Sequence, residues 1–199
     1  MTKTNAVWNQ LGPEAWGVLL QAHEGVHAAI SPAYDEVLTE VAARIRNAGS
    51  IGKLDIGALL FWKRLRADTK WVRELMLMSD SDVRRITGPA ATAVNDTALD
   101  VPNAAAQGRS ALAPLPGFAR GDALASAVLT AAAPERMAVY DRRSQSGLEK
   151  LGVTLSSSRG RYGRYMKILE DLSTAAHSHG HDWSAREIDL ALYWLGRQS

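Results

Sequence analysis

Residues 112–152 read LAPLPGFARGDALASAVLTAAAPERMAVYDRRSQSGLEKLG, and this stretch decides the fold. It opens with a Leu-Pro-Gly turn that ends at Gly117, and an alanine-rich segment typical of a helix follows. Pro134 breaks that segment, and a short apolar run then ends at Asp141. The pattern predicts two short helices joined by a hairpin, with an acidic residue about one helix further along.

On both sides of this stretch apolar residues recur at helical spacing, and no segment alternates as a strand would. Ser31-Pro32 predicts a helix start and Gly49 a helix end. Ser184 and Glu187 have the spacing of a capping box before a last helix. Residues 87–110 are small and polar, which predicts a weak helix or a loop. We therefore expect an all-α fold.

The composition excludes several classes of protein. The chain has no cysteine, so it has no disulfide, no thiolate metal site and no cysteine nucleophile, which fits a reducing cytoplasm. The first residues lack the apolar core of a signal peptide, and no apolar run approaches the about 18 residues that span a membrane. We expect a cytoplasmic protein without a membrane partner.

The positive charge is concentrated around the hairpin. Residues 109–167 carry ten lysines and arginines against four acids, whereas the chain as a whole has a net charge of only +2. Such a region is either a local surface for a polyanion or a solvated basic face.

The hairpin and the acid after it each have two interpretations. The free N–H groups at the start of the helix after Gly117 suit a phosphate, and Arg120 would add charge there. The turn can equally join two packed helices. Asp141 is expected at a helix N-terminus, either as an ordinary N-cap or as a carboxylate beside a DNA-binding surface.

Residues 115–129, LPGFARGDALASAVL, place a Leu-Pro-Gly hairpin before a helix, and residues 138–152, AVYDRRSQSGLEKLG, contain an apolar segment that ends in an acid. This arrangement resembles the helix-hairpin-helix DNA glycosylase superfamily, in which that aspartate is essential. More loosely, residues 58–87 and the helices near the C-terminus resemble bacterial proteins described as 8-oxoguanine glycosylase-like. The resemblance covers roughly residues 50–196.

From the chain's length and its helical patterns we expect one all-α domain over residues 1–199. Its parts would be N-terminal helices in 1–49, a helical bundle from 50–110 and 168–199, and the hairpin with the catalytic segment in 111–167. The resemblance implies that the partner is double-stranded DNA containing a damaged or modified base, bound by a monomer that needs no cofactor. The target nucleotide would have to be flipped out of the duplex, at a cost of a few kcal/mol.

Two departures from the family pattern narrow the implied activity. The hairpin's usual second glycine is replaced by Ala119, unless Gly121 takes its place after a short insertion. The lysine that forms a Schiff base in bifunctional members is also missing, because the matching position is Gly121 or Ala123. The resemblance therefore implies base removal without amine-driven strand cleavage. The absence of cysteine excludes the iron–sulfur cluster of some members.

The resemblance also assigns the site residues. Asp141 would be the catalytic carboxylate, which stabilises positive charge on the sugar or helps to activate water. Phe61, Trp62 and Trp71 would stack on the extruded base, although core packing explains each of them as well. The DNA-binding residues would be Pro116, Gly117, Phe118, Ala119, Arg120, Gly121, Arg142, Arg143, Arg159, Arg161 and Arg164.

No metal site is predicted. The sequence HSHGH at residues 177–181 contains a glycine that breaks a helix, which predicts a solvated loop. His23 and His27 have helical i, i+4 spacing and predict an ordinary helix surface. Two other functions stay open, a non-catalytic helix-hairpin-helix DNA-binding protein and an all-α interaction protein with an incidental hairpin.

Overall fold

The computed structural model describes residues 13–197, and helices are the only regular secondary structure within that range. The predicted all-α class is therefore confirmed for the described chain, while residues 1–12 of the expected N-terminal helices lie outside it. A short 3-10 turn, Pro32–Asp35, precedes the second helix. The α-helices are α1 Pro13–Ala29, α2 Glu36–Ala48, α3 Lys53–Trp62, α4 Lys70–Leu77, α5 Asp80–Asn95, α6 Val101–Ala111, α7 Ala123–Ala132, α8 Arg142–Lys150, α9 Arg161–Ser178 and α10 Ala185–Arg197.

The predicted helix ends are confirmed where capping residues mark them. The Ser31 hydroxyl accepts a hydrogen bond from the N–H of Ala33 at the start of the 3-10 turn. Gly49 ends α2 in the left-handed conformation, with φ of 64°. At the start of α10, Glu187 accepts from the Ser184 N–H at 2.8 Å, and Ser184 Oγ accepts from the Glu187 N–H at 3.2 Å.

Residues 87–110 form more helix than the sequence predicts. They contain the end of α5 and nearly all of α6, whose first turn is capped by Asp100 through the N–H of Asn103 at 2.8 Å. The small side chains that lower the helical signal let α6 approach α5 closely. A Cβ added at Gly108 would lie only 2.8 Å from Val94 Cγ1. Tertiary packing thus outweighs a weak local propensity here.

All ten helices contribute to one hydrophobic core. Its large side chains include Leu19 of α1, Ile56 of α3, Leu129 of α7 and Tyr165 of α9. No helix within residues 13–197 has the length and continuous apolarity of a bilayer-spanning segment.

An extended segment, residues 137–140, joins α7 to α8 through the middle of this core and is almost fully buried. Residues 13–197 contain no strand that could pair with its backbone, so side chains of α7 and α9 do so. The Tyr162 hydroxyl donates to the Ala138 carbonyl at 2.9 Å, and the Tyr165 hydroxyl donates to the Val139 carbonyl at 3.2 Å. Ser126 of α7 accepts from the Tyr140 N–H at 2.9 Å. Satisfying these buried groups fixes the backbone immediately before Asp141.

Two glycines bring α8 and α10 into backbone contact. A Cβ at Gly147 would overlap the carbonyl of Leu192, and a Cβ at Gly196 would overlap the carbonyl of Arg143. The N-terminus of α8 is therefore held directly against the last helix.

Candidate functional site

Asp141 is the N-cap of α8, as the sequence predicts. Its Oδ1 accepts hydrogen bonds from the N–H groups of Arg143 at 2.9 Å and Ser144 at 3.1 Å. These two bonds give acceptors to N–H groups of the first turn that have none within the helix, and they fix the plane of the carboxylate.

The second carboxylate oxygen of Asp141 faces Lys63, which sequence reasoning did not assign to the site. Lys63 Nζ lies 3.2 Å from Oδ2, and the two side chains are 9% and 18% exposed respectively. The ammonium also lies 5.3 Å from the ring centre of Trp62 and 5.6 Å from that of Tyr193. Aromatic faces attract a cation at this range, so the lysine is held beside the acid from three sides.

A buried network behind α8 supports this arrangement. Ser144 Oγ donates to Asp189 Oδ1 at 2.8 Å. The Tyr165 hydroxyl lies 3.1 Å from the same oxygen and shares its single proton between this carboxylate and the Val139 carbonyl. Arg186 pairs with Asp189 at 2.8 Å and with Asp35 at 3.0 Å. Burial raises the pKa of Asp189, while the nearby Arg186 opposes the rise. Ser144 also donates its N–H to Asp141. The network that holds Ser144 in place therefore helps to orient the Asp141 carboxylate.

Asp141 opens into a cleft of about 890 Å³ between the end of α3, the start of α8 and the end of α10. Five cationic side chains line this cleft against one acid, Asp141 itself. We call it the cationic cleft. Its lining includes two tyrosine rings, and the residues that matter for its chemistry are Tyr34, Lys63, Arg64, Asp141, Arg142, Arg143, Tyr193 and Arg197.

Arg64 has a backbone conformation that is rare for its residue type. Its φ is 52°, and it is the only non-glycine residue with positive φ in the described part of the chain. It follows Lys63 in the turn that ends α3, where the Leu65 N–H donates to the Leu60 carbonyl at 2.9 Å. Glycine is the usual residue in this kind of helix end. Arg64 therefore places a positive charge at the cleft, although glycine would adopt this backbone conformation with less strain.

The two arginines after Asp141 are held differently. Arg143 donates to the Tyr193 hydroxyl, and its guanidinium lies 5.0 Å from the centre of that ring. Arg142 is exposed, and none of the residues within 13–197 pairs with its side chain. Arg142 is thus free to contact a ligand, whereas Arg143 positions Tyr193.

The predicted hairpin connects α6 to α7 through residues 112–122, which is longer than a tight turn. Gly117 has φ of 85°, and a Cβ at this position would overlap the ring of Trp71. Both the backbone conformation and the space therefore require glycine here. Phe118 is buried, and its N–H donates to the Leu115 carbonyl at 3.0 Å.

The rest of the hairpin faces solvent. Ala119, Arg120 and Gly121 are exposed, and their N–H groups have no acceptor among the described residues. Ala119 and Gly121 border a second cleft of about 510 Å³ that lies against the loop before α9 and contains Arg109, Arg159 and Arg161, whereas Arg120 does not line it. We call it the hairpin cleft.

The arginines of the hairpin cleft are in part already paired. Arg109 and Arg161 lie 2.9 and 2.8 Å from the carboxylate of Asp122, the single acid of that cleft. Arg159 is exposed. Arg164 donates to the carbonyls of Ser156, Ser158 and Arg159, and so shapes this loop from within.

Arg161 connects the hairpin cleft to the buried segment that precedes Asp141. Its guanidinium lies 5.1 Å from the ring centre of Tyr140, the residue that precedes Asp141. One side chain thus touches both the hairpin's Asp122 and the segment that carries the candidate acid.

None of the three aromatic residues suggested for base stacking lines the cationic cleft. Trp62 is 3% exposed and donates its ring N–H to the Tyr34 carbonyl. Trp71 covers Gly117 of the hairpin, and Phe61 is 77% exposed on α3. The rings that line the cleft are instead those of Tyr34 and Tyr193, which no local pattern distinguishes from core residues.

No family model, curated protein or solved structure matches this chain. Any assignment of function therefore rests on the residues of the two clefts.

Proposed function

We propose that the protein is a DNA N-glycosylase of the helix-hairpin-helix type, which removes a damaged or modified base and uses Asp141 as its catalytic carboxylate. The observation that carries the proposal is the cationic cleft, in which five cations surround one oriented carboxylate. Such a lining favours a polyanion, and the cleft's volume lies in the range of small-ligand pockets, which suits an extruded nucleotide.

The hairpin supports the same function from a separate part of the chain. The free N–H groups of residues 119–121 and the arginines of the hairpin cleft suit a DNA phosphate, which would position the strand without reading its sequence. In this proposal α6, residues 112–122 and α7 form the helix-hairpin-helix element. Arg161 contacts Tyr140, the residue before Asp141, from this element's phosphate site.

The proposed reaction is hydrolysis of the bond between the base and the sugar carbon C1′. As that bond breaks, positive charge develops on the sugar, and the Asp141 carboxylate stabilises it. A water molecule then bonds to C1′ and loses a proton, while the departing base gains one. The products are the free base and an abasic sugar that carries a hydroxyl group at C1′.

Both carboxylate oxygens of Asp141 accept hydrogen bonds, so a catalytic role requires that one of them can accept a further bond from water. Oδ1 accepts from two N–H groups and Oδ2 from Lys63. An ionised carboxylate offers about four lone-pair positions, so Oδ2 can accept a second hydrogen bond from water. A non-catalytic DNA-binding protein remains the second candidate, because cap and ion pair alone explain the observed contacts.

The Asp141→Asn variant separates these two functions. Asparagine caps a helix about as well as aspartate, so a purely capping role would leave any activity intact. We expect base release from a panel of duplexes with damaged or modified bases to fall about 10²- to 10⁴-fold, with duplex binding retained. Alkali cleavage of the abasic product provides the measurement. Unchanged base release would remove Asp141 from the mechanism.

A control is needed because the substitution leaves Lys63 without its ion-pair partner. The double variant Asp141→Asn/Lys63→Gln removes both charges together, and we expect it to fold and to be equally inactive. If neither the wild type nor the variants bind duplex DNA at low salt, both DNA-related functions are excluded, and an all-α interaction protein remains.

The proximity of Lys63 to Asp141 allows a direct test of whether the enzyme uses an amine. We expect no covalent complex when the protein acts on substrate DNA in the presence of borohydride, because the ammonium is held by Asp141 and two rings. A trapped complex that disappears in Lys63→Gln would instead show Schiff-base chemistry, and the monofunctional mechanism would then be wrong.

A further inference from the structure

A second group of polar side chains lies at the contact between α1 and the start of α10. His23 and His27 of α1 are one helical turn apart, and their Nε2 atoms lie 3.1 Å from each other. Glu187 of α10 places Oε1 3.8 Å from His23 Nε2. All three ligand atoms lie within 4.8 Å of one another.

We propose that His23, His27 and Glu187 bind one transition-metal dication of the zinc class, with solvent as the fourth ligand. Two imidazole nitrogens and one carboxylate oxygen form a donor set that zinc prefers, and two ligand atoms on one tetrahedral zinc lie about 3.3 Å apart. The His23–His27 and His23–Glu187 separations of 3.1 and 3.8 Å need shifts of only a few tenths of an ångström. The third pair, His27 and Glu187, lies within 4.8 Å and needs a larger movement, which the exposed His27 side chain can make.

The ligands are oriented before any metal binds. Glu187 Oε2 accepts from both the N–H and the hydroxyl of Ser184, which leaves Oε1 directed at His23. The His23 ring stacks on Trp183 at a centroid distance of 4.1 Å. Contacts of this kind, which fix the ligand rather than touch the metal, raise metal affinity.

The surroundings also favour a cation with an open coordination position. Burial, and after it the neighbouring His27, lower the pKa of His23, whereas Glu187 opposes this change. Neutral imidazole is the form that binds a metal. His27 is exposed, which leaves room for solvent on the fourth side.

The bound metal would join α1 to α10, the helix that also carries Tyr193 and Arg197 of the cationic cleft. Sequence reasoning missed this group because Glu187 is 160 positions from His27 and has a complete local role as a capping residue. The site is independent of the proposed glycosylase activity, so failure of one proposal leaves the other standing.

The test is titration of the chelator-treated full-length protein with Zn²⁺ in a calorimeter, with no DNA present. We expect one equivalent to bind and the melting temperature to rise by about 5 to 10 °C at a hundredfold excess over the dissociation constant. Bound Co²⁺ should show the visible absorption of a low-coordinate site.

Matched variants identify the ligands. His27→Ala suits an exposed helix position, so we expect it to fold and to weaken Zn²⁺ binding at least about tenfold. Glu187→Gln should weaken binding as well, while His177→Ala, at an exposed histidine outside the group, should match the wild type. Absence of stoichiometric binding in the wild type would overturn the proposal, as would a His27→Ala variant that binds as tightly.

Discussion

Arg64 combines an unfavourable backbone conformation with a position at the cationic cleft. A non-glycine residue in the left-handed region costs about 1 kcal/mol or somewhat more. Residues in such conformations concentrate at functional sites, because the surrounding structure enforces them. The turn at Arg64 ends α3 directly after Lys63, so it also places the lysine beside Asp141.

We expect Arg64→Gly to stabilise the fold and to weaken DNA binding. Glycine relieves the backbone cost of about 1 kcal/mol, which corresponds to a rise of about 2 to 4 °C in melting temperature for a chain of this size. Thermal unfolding and duplex-binding titrations measure the two effects.

Arg64→Ala is the matched control for this variant. It removes the same charge and keeps a Cβ in the strained conformation, so it should weaken binding equally without the gain in stability. A Gly variant that binds DNA as tightly as the wild type would exclude Arg64 from the DNA surface.

At the level of elements, the contact between α8 and α10 decides where Asp141 lies. Gly147 and Gly196 let the two backbones meet, and the network of Ser144, Asp189 and Tyr165 then fixes the start of α8. A side chain added at either position would meet backbone atoms of the other helix, which cannot move aside as a flexible side chain could.

We expect Gly147→Ala to destabilise the protein by about 1 to 3 kcal/mol, because the new methyl group overlaps the Leu192 carbonyl and forces the helices apart. The same displacement moves Asp141, so base release should fall more than duplex binding. Chemical denaturation and single-turnover assays measure the two quantities.

Gly57→Ala provides the comparison, since a Cβ at that position in α3 has no neighbour within 4 Å. Alanine is the better helix former, and we expect a gain of about 0.5 to 1 kcal/mol with unchanged activity. Equal effects of the two substitutions would contradict the close-contact interpretation.

The parts of the fold that were predicted correctly from the sequence depend on interactions between residues close together in the chain. The cap at Ser31, the left-handed end at Gly49, the capping box at Ser184 and the cap at Asp141 all depend on residues within a few positions of each other. Helix α6 was underestimated because its stability comes from the close approach of small residues to α5, and the sequence analysis did not identify its cap at Asp100.

The candidate site was predicted only in part, for a similar reason. Asp141 and the hairpin lie within one continuous stretch, whereas Lys63 and Tyr193 reach Asp141 from distant parts of the chain. The pairing of Lys63 with Asp141 spans 78 positions, and a lysine at the end of a helix gives no local sign of a partner that far away. The aromatic residues suggested for the base pocket were selected by residue type, which does not reveal which side of a helix they occupy.

For the molecule as a whole, the two clefts predict DNA binding that depends strongly on salt. Each phosphate contact releases condensed counterions, so the logarithm of the binding constant falls linearly with the logarithm of salt concentration, by about 0.9 per contact. Arg142 is exposed and unpaired among residues 13–197, so we expect Arg142→Ala to reduce this slope by about 0.9.

Arg85→Ala is the control for the salt titration. Arg85 is exposed on α5 and pairs with Asp82 at 2.9 Å, and it lines neither cleft. Its removal should leave the slope unchanged, although it lowers the net charge by the same amount. Equal slopes for the two variants would mean that binding reflects net charge and not the cationic cleft.

The sequence separation of the cleft's parts has a consequence for when the protein becomes active during its synthesis. Lys63 lies at the end of α3, Asp141 at the start of α8 and Tyr193 on α10. Arg186 of α10 also pairs with Asp35 across 151 positions. A chain still emerging from the ribosome has its hairpin before it has α10, so the proposed phosphate site would precede the complete cleft. The nascent protein would thus be able to associate with nucleic acid but not to cut a base from it until the final helix docks.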